Sequence, residues 1–284
     1  MKYRHGFHAG NFADVVKHYV LLQVLRALRS KPAAFFVLET HAGRGRYELP
    51  PPESQPRPEY RDGVGRLLEA EPENAGVREY LALVRVLGGA HPGSPGLHRY
   101  PGSPLIIASQ LREHDRAAFF ELNAAAAAAL QQSLHAYRNV SVQCANGYNA
   151  LRSHLPPLER RGLVFIDPPY EPPEAEFTRV LDALREGWRR WASGIYALWH
   201  PIKRRGAIES FHSRLKATGI RRILCAELGI YPDDSRVSLN GCGMVIVNPP
   251  FRLKDSLEEA LPALHAALGA RPGTRAGCFW LVPE

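Results

Sequence analysis

Four consecutive residues, Asp167-Pro168-Pro169-Tyr170, set a carboxylate, two rigid imino acids and an aromatic ring directly after the apolar run Gly162-Leu163-Val164-Phe165-Ile166. The chemistry such a set suits is substitution at an exocyclic amino group. An adenine amino nitrogen is a poor nucleophile because its lone pair is delocalised into the ring. A carboxylate oxygen and a backbone carbonyl, each accepting one N–H bond, draw that nitrogen toward a tetrahedral geometry and free the lone pair for in-line attack on a sulfonium methyl. The two prolines fix φ and remove donors, so the Pro168 carbonyl is left to accept. Tyr170 offers a flat ring for stacking, worth ~1–3 kcal/mol per base in single-strand binders. Asp167, Pro168 and Tyr170 are therefore the candidate catalytic residues, and Asp167 or water takes the surplus proton.

Asp and Pro also form ordinary turns, so position must decide. The segment ends the fourth β run of the chain, and ligands of open α/β sheets bind at the carboxyl ends of strands. A second copy, Asn248-Pro249-Pro250-Phe251 after Val245-Ile246-Val247, follows the seventh β run. Only one copy can stand beside a cofactor, and Asn248 is assigned a structural turn at the sheet's edge.

The companion cofactor loop is Glu39-Thr40-His41-Ala42-Gly43-Arg44-Gly45, which follows the buried-strand run Ala34–Leu38. It fits the acidic-x-x-x-Gly-x-Gly loop of methyltransferases, in which glycine lets backbone approach the methionine part of the cofactor. A helix should follow the glycines directly, but Leu49-Pro50-Pro51-Pro52 cannot be helical. Removing roughly 50 residues restores the order: Ser103 as N-cap and Pro104 at the first position open a helix. A strand Ala117–Phe120 then ends in Glu121, where this fold class holds a ribose. Glu121 is thus expected on the ribose hydroxyls, and Asn146, before Gly147, on the cofactor's adenine amino group.

The elements that must position these residues alternate. Helix Asn11–Arg29 precedes the first strand. An alanine-rich helix capped by Asn123, a strand Val140–Ala145, helix Ala175–Trp191, strand Gly194–Trp199 and helix Lys203–Thr218 follow. Two last runs, Arg222–Leu228 and Met244–Val247, are expected to pair as an antiparallel hairpin. The predicted class is α/β: a mostly parallel sheet with helices on both faces and a C-terminal antiparallel hairpin.

The 284 residues are 45% hydrophobic and 23% charged, as in a globular chain with a sizeable core. A formal charge of +8 favours a polyanionic partner. Cys144, Cys225, Cys242 and Cys278 are far apart with no C-x-x-C pair, which predicts reduced thiols and no metal. Without a signal core or an apolar run of ~18 residues, a soluble cytoplasmic protein is expected. The opening Tyr3-Arg4-His5-Gly6-Phe7-His8-Ala9-Gly10-Asn11 mixes aromatic, basic and flexible residues. Contact with nucleic acid explains it better than a metal held by His5 and His8.

With these motifs in place the chain resembles the bacterial ribosomal large subunit methyltransferase J family, which makes N6-methyladenine in 23S rRNA. The carrying residues are Tyr3-Arg4-His5, Phe7-His8-Ala9-Gly10-Asn11, Ala13-Asp14-Val15, Lys17-His18, Thr40-His41-Ala42-Gly43, Pro101-Gly102-Ser103-Pro104-Leu105, Asp167-Pro168-Pro169-Tyr170 and Asn248-Pro249-Pro250. The resemblance runs end to end. It implies one Rossmann-like class I methyltransferase domain over 1–284, with a small helical subdomain inserted at 49–99. It implies S-adenosyl-L-methionine as cofactor, held by Lys17, His18, His41, Gly43, Ser103, Glu121, Asn146, Gly147 and Asp167. Tyr3 and His5, with Tyr170, would face an RNA substrate, and the enzyme would work as a metal-free monomer. The family pattern prefers Asp where this chain has Asn146, and often Asp where it has Glu39. Asn still offers an acceptor oxygen. The competing expectations are a DNA adenine methyltransferase, a protein glutamine methyltransferase, and a catalytically silent RNA-binding or ribosome-assembly protein.

Overall fold

The structure, a computed structural model, describes residues 8–51, 54, 58–89, 97–235, 237 and 239–284. Helix α1 (Phe12–Arg29) starts where Asn11 caps it, its side chain accepting from the Ala13 and Asp14 amides. Strand β1 (Phe36–Glu39) is buried along its whole length. A short strand β2 (Arg46–Glu48) pairs antiparallel with β3 (Arg99–Pro101), so both ends of the intervening segment are tied together. That segment carries a 3₁₀ turn (Glu59–Asp62), α2 (Val64–Ala70) and α3 (Ala75–Leu87).

The alternation then resumes with α4 (Ser103–Gln110), β4 (Arg116–Phe120), α5 (Ala124–Leu134), β5 (Val140–Gln143), α6 (Gly147–His154) and β6 (Gly162–Ile166). It continues through α7 (Pro173–Arg190), β7 (Ile195–Ile202), α8 (Arg205–Lys216), β8 (Ile223–Gly229), β9 (Gly241–Val247), α9 (Leu253–Ala267) and β10 (Ala276–Val282). The main sheet runs β10-β8-β9-β7-β6-β1-β4-β5. Strands β5, β4, β1, β6 and β7 are mutually parallel, while β9 lies antiparallel to both β7 and β8. The mostly parallel sheet and the antiparallel β8–β9 hairpin are as the sequence predicts.

Successive strand residues serve opposite cores. Leu163 and Phe165 of β6 pack with α1, α4 and α9, whereas Val164 and Ile166 pack with α7 and α8. Because β4 and β6 flank β1 on either side, the chain reverses its winding direction there. The ligand crevice of such sheets opens at the carboxyl ends of those three strands.

Three details depart from the sequence reading. Strand β10 pairs with β8, so the hairpin lies one strand in from the edge. Gly102, not Ser103, is the N-cap of α4. A helix, α6, begins right after Asn146, whose side chain caps it by accepting from the Tyr148 amide.

Candidate active site

Three carboxylates end three neighbouring strands: Glu39 as the last residue of β1, Glu121 after β4 and Asp167 after β6. Parallel strands in register deliver their ends to one edge, so sequence position alone brings these groups together. Glu121 and Asp167 line a cavity of about 2000 Å³, and Glu39 lies buried beneath its wall against Ser103. Every sequence-predicted site residue that the structure describes lines it too: Lys17, His18, His41, Gly43, Ser103, Asn146, Gly147, Pro168 and Tyr170. Tyr3 and His5 lie outside the described residues.

The glycine loop is shaped by left-handed backbone at Gly43 (φ 64°) and Gly45 (φ 75°), a conformation that costs glycine little. A β-carbon on Gly43 would run into the Tyr47 hydroxyl. Its amide instead donates to Glu121 Oε2 at 2.9 Å, while Asn123 N donates to Oε1 at 2.7 Å. A carboxylate has about four acceptor sites, so Glu121 keeps lone pairs for a ligand's hydroxyls. Gly147 packs so closely on the strand end that a β-carbon there would overlap the Thr40 carbonyl.

Glu39 is fully buried, and one of its oxygens has no hydrogen-bond partner among the described residues. The other accepts from the Ser103 hydroxyl, which explains why Ser103 does not cap its own helix. Burial pushes the Glu39 carboxyl up to about 8, so it is neutral near pH 7. His41 is pushed down to about 4 by burial and is likewise neutral. Its Nδ1 pairs with Thr40 Oγ1 at 2.7 Å, and its ring meets Tyr148 edge-on at 4.7 Å. His18 Nδ1 and the Tyr100 hydroxyl are 2.8 Å apart, fixing the imidazole on the cavity wall.

Lys17 joins the two sides. Its ammonium lies 2.6 Å from Asp167 Oδ2, 2.7 Å from Asp14 Oδ1 and 5.6 Å from the centre of the Trp199 ring. Asp14 and Trp199 are site residues that the sequence did not reveal. Asp14 resembles any acid in a first helical turn, and Trp199 any apolar residue in a strand. Tyr170 also differs from the exposed stacking platform expected. Only 5% of it is exposed; its hydroxyl donates to the Trp199 carbonyl at 2.7 Å, and its ring packs on Phe177 at 4.9 Å. It reaches the cavity as a fixed wall.

Asn248 has a different setting. Strand β9 runs against β7, so this second Asn-Pro-Pro turn emerges at the start of β7, the opposite edge of the sheet from Asp167. There Asn248 Nδ2 donates to the Ala192 and Gly194 carbonyls, both at 2.8 Å.

These features fit a nucleoside carrying a sulfonium amino acid. Bare backbone at Gly43 and Gly147 permits close approach, and Glu121 can take a ribose. The carboxylates around Lys17 suit positive sulfonium and ammonium groups, and Lys17 suits a carboxylate.

A family model described as Ribosomal RNA large subunit methyltransferase D, RlmJ, matches residues 32–282. The chain belongs to this family. It is 40% identical over 284 residues to "Ribosomal RNA large subunit methyltransferase J" of Haemophilus influenzae, covering all of both chains. It is 39% identical over 284 residues to the protein of the same name in Escherichia coli, again covering all of both. Among solved structures it is similar to protein LPL1258 of Legionella pneumophila, with a TM-score of 0.86 and 31% identity, covering 96% of this chain and 98% of that one.

Proposed function

We propose that this member of the family transfers the methyl group of S-adenosyl-L-methionine to the N6 amino group of a specific adenine in 23S ribosomal RNA. The observation that carries the reading is Asp167 at the carboxyl end of β6, lining the same cavity as the glycine loop and Glu121. Bound there, the cofactor supplies an electrophilic methyl on a sulfonium.

The chain's own residues do the rest. Asp167 and the Pro168 carbonyl each accept one amino N–H, which localises the nitrogen lone pair toward the methyl. Lys17 orients the Asp167 carboxylate. Tyr170, anchored through its hydroxyl, is the wall against which the base is set. Glu121 holds the ribose, and Asn146 with Gly147 the cofactor's adenine. His18, His41, Gly43 and Ser103, with Lys17, surround the amino-acid part. The surplus proton leaves to Asp167 or water. Nothing in this scheme asks a metal of the cavity.

Around the rim stand Arg44, Arg66, Arg179, Lys203 and Arg271, well placed for RNA phosphates. They give the +8 charge a location and Arg44 a use. Tyr3 and His5 are proposed to touch the RNA. Residues 49–99, closed at the base by β2 and β3, are taken as a subdomain inserted into one domain spanning 1–284. No helix among the described residues is long and apolar enough to cross a membrane, and we take the enzyme to act as a cytoplasmic monomer.

The test is methyl transfer from labelled cofactor to protein-free, unmodified large-subunit rRNA, mapped by nuclease digestion and mass spectrometry. One N6-methylated adenine is expected, absent with Asp167→Ala. Transfer to single- or double-stranded DNA in preference to RNA would replace the reading with its DNA alternative. Tyr3→Ala should impair RNA methylation and leave cofactor affinity nearly unchanged.

A further inference from the structure

A second cluster of chemically able side chains lies away from the cavity. His200 on β7, Gly243 on β9 and Glu227 on β8 are direct cross-strand partners, a row of three across the sheet. A β-carbon on Gly243 would come within 2.5 Å of His200 Nε2 and 3.3 Å of Glu227 Cγ. The glycine thus leaves the space over which imidazole and carboxylate approach each other. Helix α8 lays His212 over this row, its ring 5.9 Å from that of His200. One ligating atom from each of His200, His212 and Glu227 lies within 4.8 Å of the other two.

The polar groups here are unusually short of partners. His200 is fully buried, and neither ring nitrogen makes a hydrogen bond among the described residues. The Pro201 carbonyl lies near the ring but outside hydrogen-bonding geometry. Buried polar groups are nearly always satisfied, and leaving one bare costs about 1–3 kcal/mol. Glu227 Oε1 is also without a hydrogen bond, although its twin Oε2 accepts from Arg205 at 2.6 Å. His212 Nε2 stands 3.7 Å from Glu227 Oε1 and 3.8 Å from Cys225 Sγ. Nitrogen and oxygen donors around a tetrahedral zinc ion, with bonds of about 2.0–2.2 Å, are spaced by roughly 3.3–3.6 Å.

We propose that His200, His212 and Glu227 form a structural site for a divalent transition metal, zinc by the chemistry of its donors. Two imidazoles and one carboxylate are a borderline set, suited to zinc rather than to calcium or magnesium. A fourth position is left for water, beside the Cys225 thiol. Arg205 is the outer partner that holds Glu227 with Oε1 directed inward, and Asp233, 3.4 Å away, helps neutralise that arginine. None of the three ligands lines the large cavity. His200 shares its strand face with Leu198 and Ile202 on the α7–α8 side. The ion would pin β7, β8 and α8 together behind Trp199. Sequence reading gives no metal because these ligands, unlike a C-x-x-C pair, come from separate elements.

The experiment is zinc chloride titration of chelator-stripped full-length protein, read by bound metal after gel filtration and by Tm. One zinc per chain with a raised Tm is expected in the wild type. His212→Asn and Glu227→Gln, whose side chains keep 13% and 12% exposure, should each weaken binding beyond the about 10–100-fold that losing an outer partner costs. Cobalt(II) added to the stripped wild type should give intense tetrahedral visible bands, a readout that needs no variant. Sub-stoichiometric uptake, equal uptake by wild type and both variants, or only the weak bands of octahedral cobalt would overturn the site.

Discussion

Lys17 Nζ rests 2.6 Å from Asp167 Oδ2, joining the first helix to a turn 150 residues later. With Asp14 at 2.7 Å on its other side, the ammonium neutralises two carboxylates that would otherwise repel each other. Removing one partner of a buried ion pair costs about 3–5 kcal/mol. Here the lower end applies, because Asp167 is 11% exposed to the cavity. Lys17→Met should lower stability in urea by about 3 kcal/mol and depress methyl transfer. Adding Asp14→Asn should recover part of the stability but not the transfer. A Lys17→Met protein of wild-type stability and rate would mean that the ion pair orients nothing.

The two Pro-Pro turns should separate cleanly on mutation. Asp167→Ala should abolish methyl transfer while leaving the fold intact. Asn248→Ala should leave turnover largely unchanged yet destabilise the protein. It loses two hydrogen bonds to backbone carbonyls and places alanine at φ 52°, for a cost of about 2 kcal/mol. Comparable loss of transfer in both variants would overturn the assignment of the two turns.

The central sheet and its catalytic edge were legible because strongly periodic segments and strand-end carboxylates obey simple rules. The run Gly162–Ile166 is apolar at every position, and β6 occupies those same residues. What escaped has physical causes. Helix α9 contains Pro262, which normally ends a helix, and directly follows a Pro-Pro turn. Strand β10 is partly exposed along its whole length, without clear alternation. The Lys17–Asp167 pair depends on how α1 packs against the sheet, and the His200–Gly243–Glu227 row on strand order; side chains brought together from separate elements leave no local mark in sequence.

The basic rim makes a prediction about salt. Each phosphate contact on a single strand contributes about 0.7 to the slope of log K against log salt concentration. Lys203→Ala combined with Arg271→Ala should weaken RNA binding and reduce that slope by roughly 1.4, with cofactor affinity unchanged. An unaltered slope would place the RNA on another face.

Glu39 supplies a pH dependence whose sign follows from burial. Its folded-state carboxyl lies near 8, against an ordinary 4.5, with desolvation the main cause. Below pH 4.5 the proton is held in both folded and unfolded states, and the group is at its most stabilising. Between about 4.5 and 8 the unfolded chain releases the proton while the folded protein keeps it, so stability falls as pH rises through this window. Above 8 both states are ionised and the loss is complete. Gln imitates the neutral acid at every pH. The stability of Glu39→Gln relative to wild type should therefore climb through the window by up to about 1.4 kcal/mol per pH unit. Taking the difference cancels the other titrating groups. Denaturant melts of the two proteins at intervals from pH 5 to 8 measure it directly. Parallel stability curves would show that Glu39 is ionised within the fold, with water or an unseen donor reaching its second oxygen.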